Sequence, residues 1–217
     1  MFFNYVAGNK MINALEKSKY LLKINRIPII NYINENRENA LDNFKEYTNL
    51  INNLDSSNFI ALKLSSFNFN KKLIDNIINS AINNNIKIII DAENNKNINE
   101  YRLLTNELIY KYNSNKPFIY KTYQMYRTDS YDELKDDSNF FYNNGKILAT
   151  KLVRGAYYNT EKNEGHLFNY KGLTDNNYNY SLKLCFNNNL NYNIIASHNS
   201  DSILLASKLN KKKKYLL

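Results

Sequence analysis

The sequence is poor in residues that staple, kink or ligate. A single cysteine, Cys185, in 217 residues leaves no intramolecular disulfide framework and no zinc finger. Two prolines and five glycines exclude collagen-like and linker-rich chains. With His166 and His198 as the only histidines, a histidine-rich metal site is not expected. No apolar run approaches the roughly 20 residues of a membrane-spanning helix. Met1-Phe2-Phe3-Asn4 has neither the basic start nor the long apolar stretch of a secretory signal. The expectation is a soluble chain with no integral membrane segment and no visible address.

What the chain has in quantity is apolar and aromatic surface. Hydrophobic residues make up 43% and aromatics 14%, with 19 Tyr and 11 Phe, enough to bury a core and exclude intrinsic disorder. The length fits one domain or part of a larger one. Lys and Arg number 29 against 20 Asp and Glu, a net charge of +9, which raises the question of an anionic partner. An RNA-binding module would stack bases on tyrosines and meet phosphates with lysines. Here the lysines are dispersed and the tyrosines fall at core-like periods, so no nucleic-acid partner is expected. About one residue in five is Asn, and the Asn, Lys, Ile and Tyr excess matches an AT-rich coding bias acting on a solvated surface. Lys211 to Lys214 read as a frayed tail.

Short β-rich apolar runs alternate with longer stretches of helical period, the pattern of parallel βα units. An opening helix is expected over Lys10 to Asn25. Six strands are expected at Ile27 to Ile33, Phe59 to Ser65, Ile86 to Asp91, Phe118 to Gln124, Ile147 to Val153 and Tyr192 to Ser197. Between them lie amphipathic segments at Arg37 to Leu54, Lys71 to Asn84, Ile98 to Tyr112 and Ser130 to Asn143. The fifth connection is longer: a polar loop from Asn159 to Gly172, then a helix from Asp175 to Asn188. A loop of that length in a compact domain usually belongs to a site. A last helix is expected over Ser200 to Leu209.

The polar outliers gather at the carboxyl ends of these strands, where parallel α/β proteins build their sites. They are Asn34-Glu35, Lys63, Asp91-Ala92-Glu93, Tyr123-Gln124, Lys151 with Arg154-Gly155-Ala156-Tyr157, and Ser197-His198-Asn199. Asp91 and Glu93 read equally as a helix cap and its first turn. Lys63, between Leu62 and Leu64, must either reach out to water or meet an anion. Gln124 reads as a ligand-facing or a satisfied core amide, and His198 as a ligand or a structural histidine bonded to a carbonyl. Tyr157-Tyr158 is more often packing than ligand stacking. Gly155, just past a strand, allows close approach of a backbone.

In combination, DAE at Asp91 to Glu93, KTYQMY at Lys121 to Tyr126, KLVRGAYY at Lys151 to Tyr158, TDNNY at Thr174 to Tyr178 and ASHN at Ala196 to Asn199 closely resemble proline dehydrogenase. ALKLSS around Lys63 and the opening FNYVAGN do so too, in the same order and at compatible spacing. The resemblance covers nearly the whole chain. A flavin barrel that reduces a folate is the competing enzyme class, and Lys63 and KLVRGAY argue against it.

The resemblance implies a (β/α)8 TIM-type barrel, here incomplete with about six βα units, that uses FAD to oxidise L-proline to 1-pyrroline-5-carboxylate and passes electrons to a quinone. It implies catalytic roles for Asp91, beside substrate and flavin, and for Lys151, where many members carry an arginine next to the flavin. Lys63 matches the lysine pairing with the substrate carboxylate and Tyr157 the tyrosine over the substrate ring. Ala92, Gln124, Arg154, Gly155, Ala156, Thr174, Ser197, His198 and Asn199 match cofactor-binding positions, and Tyr178 lies in the same stretch as Thr174. Eukaryotic members work at mitochondria. The family pattern continues beyond strand six with two more βα units and a paired arginine that clamps the carboxylate opposite a glutamate resembling Glu35. Residues 1–217 lack these units, and weak turnover or an inactive fragment is the expectation for them alone.

Overall fold

The computed structural model describes residues 6–32, 39–187, 190 and 192–213. Glu35, one of the strand-end candidates, lies outside the described residues, as do the first five residues and Lys214. The chain divides into two compact units, Met1–Asp91 and Ala92–Leu217, with the boundary inside the DAE segment.

In the first unit the order is α1 (Met11–Lys23), β1 (Ile29–Asn31), α2 (Ala40–Asn53), β2 (Phe59–Leu62), a 3-10 turn at Leu64–Phe67, α3 (Lys71–Asn83) and β3 (Lys87–Ile90). The three strands are parallel, Ile30 beside Ile60 and Ile60 beside Ile88. Parallel neighbours require a crossover, which α2 and α3 supply. Ile88, Ile89 and Ile90 are all buried. That is why β3 reads as a continuous apolar run rather than an alternation.

The abundant asparagines are not all idle surface. The Asn39 and Asn70 side chains accept the backbone N–H of Leu41 and Leu73, capping α2 and α3. Asn25 and Asn85 take positive φ, 56° and 54°, just past α1 and α3. Asparagine is the non-glycine residue best suited to that conformation. A chain with five glycines thus ends these helices without them.

The second unit runs from a 3-10 turn at Asn95–Asn97 through α4 (Ile98–Tyr112), β4 (Ile119–Gln124), α5 (Ser130–Asn143), β5 (Ala149–Val153), α6 (Tyr158–Glu161), α7 (Lys171–Asn187), β6 (Asn193–Ile195) and α8 (Ser200–Lys213). Its strands are parallel too, with Thr122 beside Lys151 and Lys151 beside Ile194. At the amino end of β4 the Asn113 side chain donates to the carbonyls of Ile119 and Ile147 and accepts the N–H groups of Phe118 and Ile119. The amide is fully used in tying the α4–β4 turn to the chain entering β5.

Four expectations are corrected. The loop expected over Asn159 to Gly172 contains the short helix α6. Helix α7 starts at Lys171, four residues ahead of the expected Asp175, and Asp175 pairs back one turn to Lys171 at 2.5 Å. Strand β6 stops at Ile195, since the Ser197 hydroxyl accepts the Asn199 N–H and Asn199 in turn caps Ser202, turning the chain into α8. The tail expected to fray from Lys211 continues α8 to Lys213.

Candidate active site

In the first unit, Lys63 follows β2 directly and is exposed, while Leu62 and Leu64 on either side are wholly buried. Its extended backbone, φ −98° and ψ 122°, sends its side chain opposite to those of its neighbours. The side chain thus reaches the surface while its neighbours stay in the core. The Asp91 N–H donates to the Leu62 carbonyl at 2.9 Å, extending the ladder by one step, so Lys63 and Asp91 sit at matching levels on adjacent strand ends. Asp91 is half-buried. Burial first, and then the Asp91 charge, push the Tyr47 hydroxyl upward, keeping it a donor to the Ala61 carbonyl at 2.9 Å. The capping alternative for Asp91 falls away, because Asn97 occupies the N-cap of α4 and Glu100 its first turn.

In the second unit the ends of β4, β5 and β6 are knitted together. Gln124, the last residue of β4, is buried; its Nε2 donates to the Glu93 carbonyl at 3.0 Å and its Oε1 accepts the Ala156 N–H at 3.3 Å. The amide therefore bridges the loop after β3 and the turn after β5. Tyr157 donates its hydroxyl to the Ala92 carbonyl at 3.3 Å, a second bridge between the same two loops. Lys151 lies within β5, half-buried.

Arg154, one residue past β5, is the hub of the other half. Its Nε donates to Asp175 at 2.6 Å, its Nη1 to the Ser197 hydroxyl at 2.6 Å and its Nη2 to the Ser202 hydroxyl at 3.0 Å. Its guanidinium plane lies 4.5 Å from the centre of the Tyr178 ring. Burial pushes the Tyr178 hydroxyl up to about 12 against the opposing pull of Arg154. Tyr178 is a core residue, and Thr174 is nearly so. An open cavity of about 710 Å³ has Arg154, Lys171, Ser197, His198 and Asn199 among its walls, and His198 is exposed to it rather than held in the core. Another open cavity, about 770 Å³, lies along α4 against Phe140; no strand-end residue lines it.

Burial pushes the Asp175 carboxyl up, but hydrogen bonds from Lys171 and Arg154 outweigh this and hold it below the ordinary carboxylate range. A carboxylate lowered by folding contributes stability that is present above its unfolded pKa, about 3.9, and lost as pH falls through its folded value. Urea stability measured from pH 5 to pH 2 should therefore fall more steeply in the wild type than in Asp175→Asn. Parallel curves for the two proteins would remove Asp175 from the acid response. Part of the slope should survive the substitution, because Asp129, between Arg102 and Arg127, is lowered in the same way.

Sequence reasoning passed over Glu161, Tyr126, Asn95 and Arg127, which tie the long β5–α7 connection to the loops after β3 and β4. The Glu161 carboxylate is 2% exposed and takes the Asn95 N–H at 2.5 Å and the Tyr126 hydroxyl at 2.7 Å. The only local sign of this was the pairing of KTYQMY with an acid four residues after Tyr157. Among the described residues no group of three His, Cys, Asp or Glu side chains is placed to hold a metal ion. Nor is any helix among them long and apolar enough to cross a membrane.

Parallel strands with crossover helices, and polar side chains collected at the strand carboxyl ends, define a protein of the βα-barrel class. The sequence model for proline dehydrogenase matches residues 9–216, and the chain belongs to that family. It is 33% identical over 160 residues to proline dehydrogenase 1, mitochondrial, of Dictyostelium discoideum, covering 65% of this chain and 27% of that protein. Over 148 residues it is 31% identical to hydroxyproline dehydrogenase of Xenopus laevis, covering 61% and 31% respectively. Among solved structures it resembles proline utilization A from Bdellovibrio bacteriovorus inactivated by N-propargylglycine, with a TM-score of 0.85 and 17% identity. That likeness covers 96% of this chain and 27% of the other, and it establishes the fold: α/β, a (β/α)8-type barrel represented here by six βα units. The chain spans about a quarter to a third of the length of these relatives.

Proposed function

We propose that the chain forms the flavin- and substrate-binding part of an FAD-dependent oxidoreductase that converts L-proline to 1-pyrroline-5-carboxylate and delivers the electrons to a quinone. The observation that carries this reading is that the family match, residues 9–216, takes in every strand-end residue described above. The relatives named as mitochondrial favour that compartment.

The residues present suit FAD. Around the 710 Å³ cavity two cations, Arg154 and Lys171, share the single carboxylate of Asp175, which leaves positive charge for a diphosphate. Ser197, His198 and Asn199 add neutral donors and acceptors for an adenosine. Gly155 exposes backbone where any side chain would collide with Tyr126. Ala92, Gln124, Arg154, Gly155, Ala156, Thr174, Ser197, His198 and Asn199 are assigned to hold the cofactor. When bound, the flavin would supply two-electron oxidising chemistry at the carbon next to the substrate nitrogen.

The chain's own residues bind, orient and exclude water. Lys63 presents an ammonium to the substrate carboxylate, a charge-assisted bond worth about 1.5–3 kcal/mol. Asp91 stands at the same level as Lys63, on the next strand, beside the substrate. Tyr157 covers the substrate ring and keeps water from it. Lys151 supplies the positive charge that favours a reduced, anionic cofactor, without the planar fork of an arginine. No residue becomes covalently attached, so positioning carries most of the rate.

The test is to purify residues 1–217 with added FAD, record the retained flavin by its visible absorbance, and follow dye reduction with proline as donor. Retained flavin and slow proline-dependent dye reduction, lost in Lys63→Ala, are expected. A colourless protein that takes up no FAD would overturn the proposal. The Xenopus relative named hydroxyproline dehydrogenase supports a second substrate reading, and a higher kcat/KM with 4-hydroxyproline than with proline would select it.

A further inference from the structure

The β5–α7 connection should be free to move by composition, since residues 159–172 are mostly polar. Instead it is fastened at several points. The Phe168 N–H donates to the Tyr126 carbonyl at 2.9 Å and the Thr128 N–H to the His166 carbonyl at 3.0 Å. Glu164 accepts the Asn95 side-chain amide at 2.7 Å, and that side chain's oxygen accepts from Arg127 at 3.1 Å. At the centre is Glu161, the last residue of the four-residue helix α6. A carboxylate that is 2% exposed is stable only when its oxygens are satisfied. Here a backbone N–H and a phenol satisfy one oxygen each.

The placement of these partners gives the clasp a direction. Asn95 lies three residues after Ala92, whose carbonyl holds the Tyr157 hydroxyl. Tyr157 lies four residues before Glu161 and is the N-cap of α6. The turn that carries Tyr157 is thus pinned at both ends to the same loop, by a hydroxyl at one end and a carboxylate at the other. Tyr126 adds a third anchor from the end of β4. An apolar side chain at position 161 could fill the same space but could not fix the orientation of the turn, because only directional bonds do that.

We infer that Glu161 is a positioning residue, which holds Tyr157 in place over the substrate by clasping the Asn95 N–H and the Tyr126 hydroxyl. The inference rests on the proposed role of Tyr157 at the substrate ring. Glu161 touches neither substrate nor cofactor and acts through the turn.

The experiment compares Glu161→Ala, Glu161→Gln and Tyr126→Phe in the full chain, loaded with FAD. Two readouts are used: KM and kcat for L-proline with a dye acceptor, and backbone amide exchange by mass spectrometry. Glu161→Ala loses both bonds and should raise KM about tenfold with kcat within about twofold, the pattern of lost uniform binding. Amide exchange should quicken about tenfold over residues 93–96 and 155–161 and stay unchanged in α4 and β5. Glu161→Gln keeps an acceptor for the Asn95 N–H and gives Tyr126 a donor, so it should stay within about twofold of wild type in both readouts. Tyr126→Phe, which removes one of the two bonds and leaves the carboxylate in place, should raise KM about threefold.

Equal behaviour of the Ala and Gln variants, or quickened exchange spread evenly over the unit, would overturn the inference and leave Glu161 a general stabiliser. Should Glu161→Ala fail to fold, the Gln and Phe variants decide: a wild-type KM in Tyr126→Phe would overturn it. A wild-type chain that takes up no flavin would defeat the proposed function, and the exchange data would then settle the clasp by themselves.

Discussion

Replacing Lys121 with Met is expected to destabilise the second unit by about 3–5 kcal/mol, the range for removing one partner of a buried ion pair. Lys121 is wholly buried in β4. Its ammonium lies 2.6 Å from Asp137, 2.9 Å from Glu133 and 2.9 Å from the Asn106 side-chain oxygen. The Tyr123 hydroxyl also donates to Asp137, at 2.7 Å. Burial first, and then the Asp137 charge, push that hydroxyl well up, so it stays a donor. Arg102 holds Glu133 and Asp129, each at 2.8 Å. With Lys121 gone, Asp137 keeps only neutral donors, the Asn106 amide and Tyr123, and its charge is left in a low-dielectric setting. Urea denaturation should show the loss, and adding Asp137→Asn to Lys121→Met should recover part of it. Replacing Lys121, Glu133 and Asp137 together by apolar residues of similar volume should cost less than the single change, because no orphaned charge remains. A Lys121→Met protein within about 1 kcal/mol of wild type would show that water reaches this network.

That network also marks the limit of what the sequence displayed. Helices α4 and α5 are found where periodicity puts them, Ile98–Tyr112 and Ser130–Asn143, because each is long and strongly patterned. The strands sit where expected but are trimmed at their ends, where side-chain hydrogen bonds such as those of Ser197 and Asn199 redirect the chain. All six residues of β4 are buried, Lys121, Thr122 and Gln124 included. Lys121 can sit there only because Asn106 on α4 and Glu133 and Asp137 on α5 converge on it. The i, i+4 spacing of Glu133 and Asp137 was the one visible hint.

That the candidate residues stand at strand ends was legible because each follows an apolar run that forms a strand. Their connections were not, since no local pattern announces that Gln124 will bond to Glu93 and Ala156. Glu161 was hidden for the same reason, its partners being 35 and 66 residues away in the chain. The asparagine excess was read as coding bias on a solvated surface. At Asn39, Asn70 and Asn113 it nevertheless does the work of caps and staples.

Gly155→Ala is the substitution expected to damage site and stability together. The glycine has φ +141°, a conformation that side chains of L-residues rarely adopt and that costs about 1–3 kcal/mol when forced. A Cβ built there runs into the Tyr126 ring at distances real Cβ atoms do not show. The ring cannot easily give way. Its hydroxyl is held by Glu161, its N–H donates to the Arg154 carbonyl at 2.7 Å and its carbonyl accepts from Phe168. The turn must therefore move instead, carrying Arg154 on one side and Tyr157 on the other away from Asp175, Ser197 and Ala92. Overpacking of this kind adds about 1–3 kcal/mol, and the total expected loss is about 3–5 kcal/mol. Because the displaced residues line the proposed cofactor site, FAD affinity measured by titration should drop by at least about tenfold. Comparing Gly155→Ala with Gly155→Ala/Tyr126→Leu, each against its own Gly155 parent, separates the two causes. Tyr126→Leu alone loses the Glu161 bond, so against that background Gly155→Ala should cost only the backbone strain, less than it costs in the wild type. If Gly155→Ala unfolds at the wild-type urea midpoint and binds FAD as tightly, the turn does not need the glycine and the ring does not fence it.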